Sequence, residues 1–205
     1  MLEDTGERVI LEKMKITNDL LIEHVARYHF ALFFIKGRVL DFACGTGFGT
    51  HIIAKKLKNE ITEVIGLDIS TDALEYAKHH YYHPKSSFFQ ADVTDSSLIE
   101  RYGEFDTIVS FETLEHIEAE ENFLSNVYKL LKPGGKLILS TPFGEGRDKP
   151  CGSPFHVHQL TPEEFEQLFA NYSTVTHYVQ KGALIEPRDH ATLDKHPLGI
   201  VVCEK

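Results

Sequence analysis

The stretch Val39-Leu40-Asp41-Phe42-Ala43-Cys44-Gly45-Thr46-Gly47-Phe48-Gly49 carries three signals in one short run. Its apolar opening, residues 39–42, reads as a short buried strand. Gly45, Gly47 and Gly49 then stand at alternate positions. They suit a turn whose backbone takes positive φ and lets a ligand lie against it. The succeeding segment is amphipathic, with Phe48, Ile52, Ile53 and Leu57 on one side of a helix and Lys55, Lys56 and Lys58 on the other. Strand, glycine turn and helix together make a nucleotide-type cofactor site at the carboxyl end of a parallel sheet.

The next strand supports this reading. Glu63-Val64-Ile65-Gly66-Leu67-Asp68 is a buried run closed by an acid, and a carboxylate there can accept both hydroxyl protons of a cofactor ribose. A tight turn followed by a surface aspartate is the plainer alternative, because glycines also mark ordinary turns.

Outward from these two strands the pattern repeats. Ser70 or Asp72 caps a helix reaching about Tyr81, and Pro84 ends it. Ser87-Phe88-Phe89-Gln90-Ala91 is a third strand, closed by Asp92. Asp92 can meet an adenine amine while Val93 packs on the ring, or it can be a turn carboxylate beside Asp95. Residues 105–111 form a fourth strand and 136–141 a fifth, with a helix over about 119–131 stopped by Pro133-Gly134-Gly135. Thr161-Pro162-Glu163-Glu164 starts a helix, and 175–179 and 199–203 are two closing strands.

The expectation is therefore an α/β fold with a doubly wound, mostly parallel, seven-stranded sheet. A helix from Thr17 or Asn18 to about Phe34 precedes it, with Leu20, Leu21, Val25, Tyr28 and Leu32 at helical spacing. Such a helix either lies across the cofactor cleft or only covers a sheet edge. Residues 1–15 read as polar and loosely held. The whole of 1–205 reads as one domain, in which 1–36 form a helical cap and 37–205 the core. Loops 143–160 and 181–197 are candidate cover for an acceptor site.

Composition narrows the partners. Lys and Arg number 21 against 31 Asp and Glu, a formal net charge of −10. That disfavours broad contact with nucleic acid or an anionic membrane, either of which needs a basic face. The longest apolar run, residues 30–35, is too short to span a bilayer. The acidic Met1-Leu2-Glu3-Asp4 opening does not read as a secretory leader. Cys44, Cys151 and Cys203 form no disulfide framework, so a reduced, cytoplasmic setting is the default expectation. Oligomeric state is left open.

With these pieces in place, the chain resembles the class I S-adenosylmethionine-dependent methyltransferases, and most of all their small-molecule branch with the type 11 methyltransferase domain. The matching stretches are VLDFACGTG (39–47), VIGLDIS (64–70), FFQADVTD (88–95), FDTIVSFETLEHI (105–117), LLKPGGKLILSTP (130–142) and HQLTPEEF (158–165). The resemblance implies a Rossmann-like methyltransferase fold and S-adenosyl-L-methionine as cofactor, with S-adenosyl-L-homocysteine as product. It implies that backbone around Ala43, Cys44, Gly45 and Gly47 meets the methionine part and that Asp41 holds the turn. Asp68 would take the ribose hydroxyls and Ile69 would lie against the adenine. Asp92 and Val93 would hold the adenine edge, Tyr28 would close the cleft from the first helix, and Phe111 and Glu112 would face the reacting methyl group.

The implied reaction is methyl transfer to oxygen or nitrogen of a small-molecule acceptor such as a sugar, a quinone or another metabolite. A hydroxyl acceptor needs a base as attack proceeds. His116, His156 and His158 are the candidates, since histidine titrates near neutral pH, with Glu112 beside the methyl group. His156 and His158 point the same way if their segment is extended. Each histidine also has a purely structural reading, packing over the cofactor or capping a helix. Two histidines with Cys151 lack a fourth ligand at a recognised spacing, so no metal site is expected.

Rival readings have specific weaknesses. A nicotinamide oxidoreductase wants glycine where Thr50 stands, and the Tyr81-x-x-x-Lys85 pair contains Pro84. A non-catalytic nucleotide-binding module would have no need of motifs this intact. A nucleic-acid methyltransferase usually carries prolines after the fourth strand, where this chain reads Ser110-Phe111-Glu112-Thr113. A protein acceptor ranks after a small molecule.

Overall fold

The structure, a computed structural model, describes residues 8–191 and 196–205. Its strands are β1 (Gly37–Phe42), β2 (Ile61–Asp68), β3 (Ser86–Gln90), β4 (Phe105–Phe111), β5 (Leu131–Pro142), β6 (Thr174–Lys181), β7 (Leu184–Pro187) and β8 (Leu198–Glu204). The α-helices are α1 (Asp19–Ala31), α2 (Phe48–Lys56), α3 (Thr71–His80), α4 (Leu98–Tyr102), α5 (Glu120–Leu130) and α6 (Pro162–Gln167). One sheet takes the order β3-β2-β1-β4-β5-β8-β6-β7. The pairs among β1 to β5 are parallel, and those joining β5, β8, β6 and β7 are antiparallel.

The two faces divide the apolar residues by alternation. Val39, Val64, Val109, Ile138 and Ile200 point to the face covered by α1, α2 and α3. Leu40, Ile65, Ile108, Leu137 and Val201 point to the face covered by α4, α5 and α6. Strands buried on both faces are rich in apolar residues without strict alternation, which is why residues 39–42 and 105–111 were legible despite Asp41, Asp106, Thr107 and Ser110. No helix among the described residues is long and apolar enough to cross a membrane.

Helix starts follow their caps. Asn18 Oδ1 accepts the Leu21 N–H at 3.0 Å and Ser70 Oγ the Ala73 N–H at 3.3 Å. Thr161 and Glu164 form the reciprocal capping box. The sheet has eight strands rather than the expected seven. The additional strand, β7, folds back antiparallel onto β6 after a turn at Gly182, whose φ is +58°. Strand β7 is the outermost of the sheet and ends at Pro187, where no further ladder hydrogen bond is required of it. A four-residue edge strand buries too little to leave an apolar pattern in the sequence.

Two further differences concern the chain's flanks. The segment before α1 is docked, with Val9 and Ile10 buried and the Thr46 hydroxyl donating to the Val9 carbonyl at 2.8 Å. The segment 181–191 packs on the outer side of α1, where Glu23 accepts the Gly182 N–H at 3.2 Å.

Helix α1 reaches the sheet through Tyr28, whose ring lies on Gly49 of α2. A Cβ placed on Gly49 would stand 1.8 Å from Tyr28 Cζ. Alanine favours a helix over glycine by about 1 kcal/mol, whereas overpacking costs about 1–3 kcal/mol. Because the clashing atom belongs to a buried ring, the steric cost should win. Gly49→Ala is expected to lower the unfolding free energy in urea melts, and a stabilised variant would refute this packing.

Candidate active site

The carboxyl end of β1 runs into a backbone turn with three left-handed residues, Ala43, Gly45 and Gly47, at φ +66°, +54° and +80°. Two of the three glycines therefore serve the turn, and the third, Gly49, serves the Tyr28 contact instead. Ala43 is the left-handed position that its residue type does not announce. Gly47 is the N-cap of α2. At Gly45 the side on which a Cβ would stand is open space, with nothing within 4 Å.

Under this turn lies Asp41, wholly buried. Its carboxylate accepts the Thr50 hydroxyl at 2.6 Å and the Tyr28 hydroxyl at 3.0 Å. Thr50 thus fills the place where a dinucleotide fingerprint wants glycine, and its hydroxyl is turned inward to satisfy a charge. Asp68, ending β2, accepts the Gly45 N–H on Oδ2 at 2.8 Å and the Ser70 N–H on Oδ1 at 2.9 Å. One carboxylate therefore joins the first crossover to the second. Burial, with the charges of Asp41 and Asp68 nearby, keeps the Cys44 thiol protonated.

A cleft of about 540 Å³ opens over these residues, inside the range of roughly 300–1,000 Å³ usual for small-molecule sites. Ala43, Cys44, Gly45, Asp68, Ile69, Asp92, Val93, Phe111 and Glu112 all line it. Tyr28 lines it from α1, its ring edge-on to Phe111 with centroids 5.0 Å apart. Asp41 and Gly47 stand behind the lining rather than in it. Asp92 is exposed and in a turn, with Oδ1 accepting both the N–H and the hydroxyl of Thr94. Tyr81 and Lys85 go separate ways, Tyr81 to Glu12 and Lys85 to the Lys58 and Ile61 carbonyls.

The other end of the cleft is polar. Glu112 takes a left-handed φ of +50° and accepts the Ser140 hydroxyl at 3.1 Å. Arg27, fully buried, stands 3.9 Å from Glu112 and donates to Gln180 Oε1 at 3.0 Å and His24 Nδ1 at 2.8 Å. Burial, then the Arg27 charge, pushes His24 down to about 3, so its ring is neutral. A 3₁₀ turn at Leu114–His116 drops Glu115 inward, where the Thr141 hydroxyl donates to it at 3.1 Å. Burial and the neighbouring Glu112 hold Glu115 well above the usual carboxylate range. His116 faces the cleft with Nδ1 bonded to the Phe155 carbonyl at 2.9 Å, and its ring lies edge-on to His156 at 4.9 Å.

His158 lies outside the cleft, and its segment is not extended. It does not share a face with His156, because the chain bends between them at Val157, whose N–H is tied to the Glu115 carbonyl at 2.9 Å. Its Nε2 lies 3.4 Å from Glu120 instead, beside Arg147 in a separate surface depression. Of the two candidate cover loops, 143–160 contributes Phe155 and His156 to the cleft, and the described residues of 181–197 contribute none. Sequence reasoning missed Glu115 and Arg27 as parts of this site. The Glu-His pair at 115–116 was the available signal for one; nothing local marked the other.

The model of a family described as a methyltransferase domain matches residues 35–193 of this chain. The chain belongs to that family. A probable S-adenosylmethionine-dependent methyltransferase from Mycolicibacterium smegmatis is 30% identical to it over 169 residues, 80% of this chain and 62% of that protein. A malonyl-(acyl-carrier protein) O-methyltransferase from Priestia megaterium is 36% identical over 171 residues, 82% of this chain and 58% of that protein. The chain thus spans about three fifths of these relatives' length. Among solved structures, an S-adenosylmethionine-dependent methyltransferase from Archaeoglobus fulgidus has the same fold, with TM-score 0.66 and 16% identity over 92% of this chain and 95% of that one.

The family's cofactor is S-adenosylmethionine, and the residues of this chain fit it. Open space beside Gly45, a carboxylate at Asp68 and apolar Ile69 and Val93 in the same cleft suit a main-chain contact, a ribose and a flat base in turn.

Asp41 yields a prediction about stability. Burial pushes it up to about 6, against the bonds from Thr50 and Tyr28 and together with the Asp68 charge. Unfolded aspartate titrates near 3.9, so the native chain keeps a proton that the unfolded chain has lost between those values. Stability from this group is therefore full below about pH 4 and declines as pH rises through about 6, by about 3 kcal/mol in all. Urea melts of the parent against Asp41→Asn should show their difference shrinking by that amount from pH 4 to 7, and a constant difference would exclude the shift.

Proposed function

We propose that this protein transfers the methyl group of S-adenosylmethionine to a small-molecule acceptor, with a hydroxyl oxygen ahead of a nitrogen. The observation that carries this reading is a single cleft with a main-chain cradle and ribose-type carboxylate at one end and Glu112, Glu115, His116 and His156 at the other. The names of relatives fit a small acceptor and include ubiquinone-biosynthesis O-methyltransferases and phosphoethanolamine N-methyltransferases; the histidines at the acceptor end are what put a hydroxyl first.

When bound, S-adenosylmethionine supplies an electrophilic methyl carbon, whose bond to sulfur breaks as the bond to the acceptor forms, leaving a neutral thioether and one proton to be removed. The chain's own residues position and discharge. Asp68 has spent one lone pair of each oxygen on a main-chain N–H and keeps others for two ribose hydroxyls. Ile69, Asp92 and Val93 border the base, and Ala43, Cys44 and Gly45 offer backbone to the methionine end. Phe111, Tyr28 and Phe155 exclude water where charge is lost. His116, with Nδ1–H donated to the Phe155 carbonyl, turns the lone pair of Nε2 toward the acceptor's proton. The net charge of −10 argues against nucleic acid as acceptor.

Calorimetry and turnover separate the parts. Asp68→Ala should weaken S-adenosylhomocysteine binding roughly 10- to 100-fold, the worth of charge-assisted hydrogen bonds. His116→Ala should spare that binding and cut turnover by roughly 10²- to 10⁴-fold, whereas His158→Ala should leave both near the parent values. Methyl-labelled cofactor added with cell extract should deliver label to the small-molecule fraction. Label in protein or nucleic acid, or binding without transfer, would overturn the reading.

A further inference from the structure

We infer that Glu115, His116 and His156 form a binding site for one divalent transition-metal ion at the acceptor end of the cleft. The inference rests on the methyl-transfer reading for its role but not for its existence. Ligand atoms of these three side chains all lie within 4.8 Å of one another. His116 Nε2 is 3.9 Å from Glu115 Oε1. Two ligands each about 2.1 Å from an ion stand roughly 3–3.5 Å apart, so side-chain movements of about an ångström close the site.

The outer partners are arranged as a metal site requires. A ligating histidine donates its second ring N–H to a carbonyl or carboxylate, which fixes the tautomer. His116 does this through Nδ1 to the Phe155 carbonyl at 2.9 Å, leaving Nε2 for the ion. Glu115 accepts the Thr141 hydroxyl on Oε2 at 3.1 Å, leaving Oε1 on the side of His116. His156 is held by its backbone, since the Cys151 thiol donates to its carbonyl at 3.0 Å and the adjoining Val157 N–H to the Glu115 carbonyl at 2.9 Å. The nearby cation Arg27 donates its hydrogen bonds to Gln180 and His24 and stands 3.9 Å from Glu112.

Two imidazoles and one carboxylate suit zinc, cobalt or manganese better than magnesium or calcium, which prefer oxygen alone. Three protein ligands leave coordination positions open to the cleft. An acceptor hydroxyl there would be made acidic by the ion and would lose its proton to solvent, the His116 Nε2 lone pair then being spent on the ion in place of the base role it has in the metal-free site. No local spacing in the sequence signals the site, because His156 comes from a loop remote in the chain from Glu115 and His116.

The test uses the full chain, stripped with a chelator and titrated with zinc by calorimetry and with cobalt by visible absorption, each with and without S-adenosylhomocysteine. One ion per chain is expected. His116→Ala and His156→Ala should each weaken it at least about tenfold, the usual loss for one ligand or its orienting partner. Both variants should still bind S-adenosylhomocysteine as the parent does, which shows that they fold, and His158→Ala should keep the metal. Metal binding unaffected by His116→Ala and His156→Ala, or absent in the parent, overturns the inference. Full turnover in the chelated parent overturns it too while leaving methyl transfer standing. Zinc binding with no cofactor binding would instead sink the methyl-transfer reading and leave the site.

Discussion

A buried carboxylate organises this molecule. Asp41 lies at the end of the first strand with no solvent, and its cost is offset by hydroxyls from two different helices, Tyr28 of α1 and Thr50 of α2. That requirement brings α1 onto α2, and the approach is close enough that only glycine fits at position 49. Tyr28 then becomes at once a structural partner and a wall of the cleft. The helix ahead of the sheet is therefore part of the site and not only a cover.

A second carboxylate does for the backbone what Asp41 does for the helices. Asp68 accepts from Gly45 and Ser70, so the turn after β1 and the turn after β2 are held by the same two oxygens. Two strand ends that are neighbours in the sheet are thereby made one surface. Its charge is available to a ligand because neither oxygen is saturated.

At the opposite end the polar groups are divided between two jobs. Arg27 balances Glu112 and is itself steadied by Gln180 from β6 and His24 from its own helix. Glu115, His116 and His156 are left facing one another. The strained backbone at Glu112 sits between these sets, where a left-handed residue after β4 lets consecutive side chains diverge.

The α/β class, the five parallel strands, the capped helices and the grouping of residues 43–45, 68–69 and 92–93 at the strand ends were all legible in the sequence, because each depends on local pattern. Apolar runs mark strands buried on both faces, and a glycine turn or a closing aspartate needs only its neighbours to be recognised. The edge strand β7, the docking of Val9 and Ile10, the parting of His156 from His158 and the meeting of Arg27 with Gln180 were decided by the tertiary structure alone. Each joins residues far apart in the chain or turns on a loop's bend, and side-chain direction in an irregular segment has no period from which it can be read.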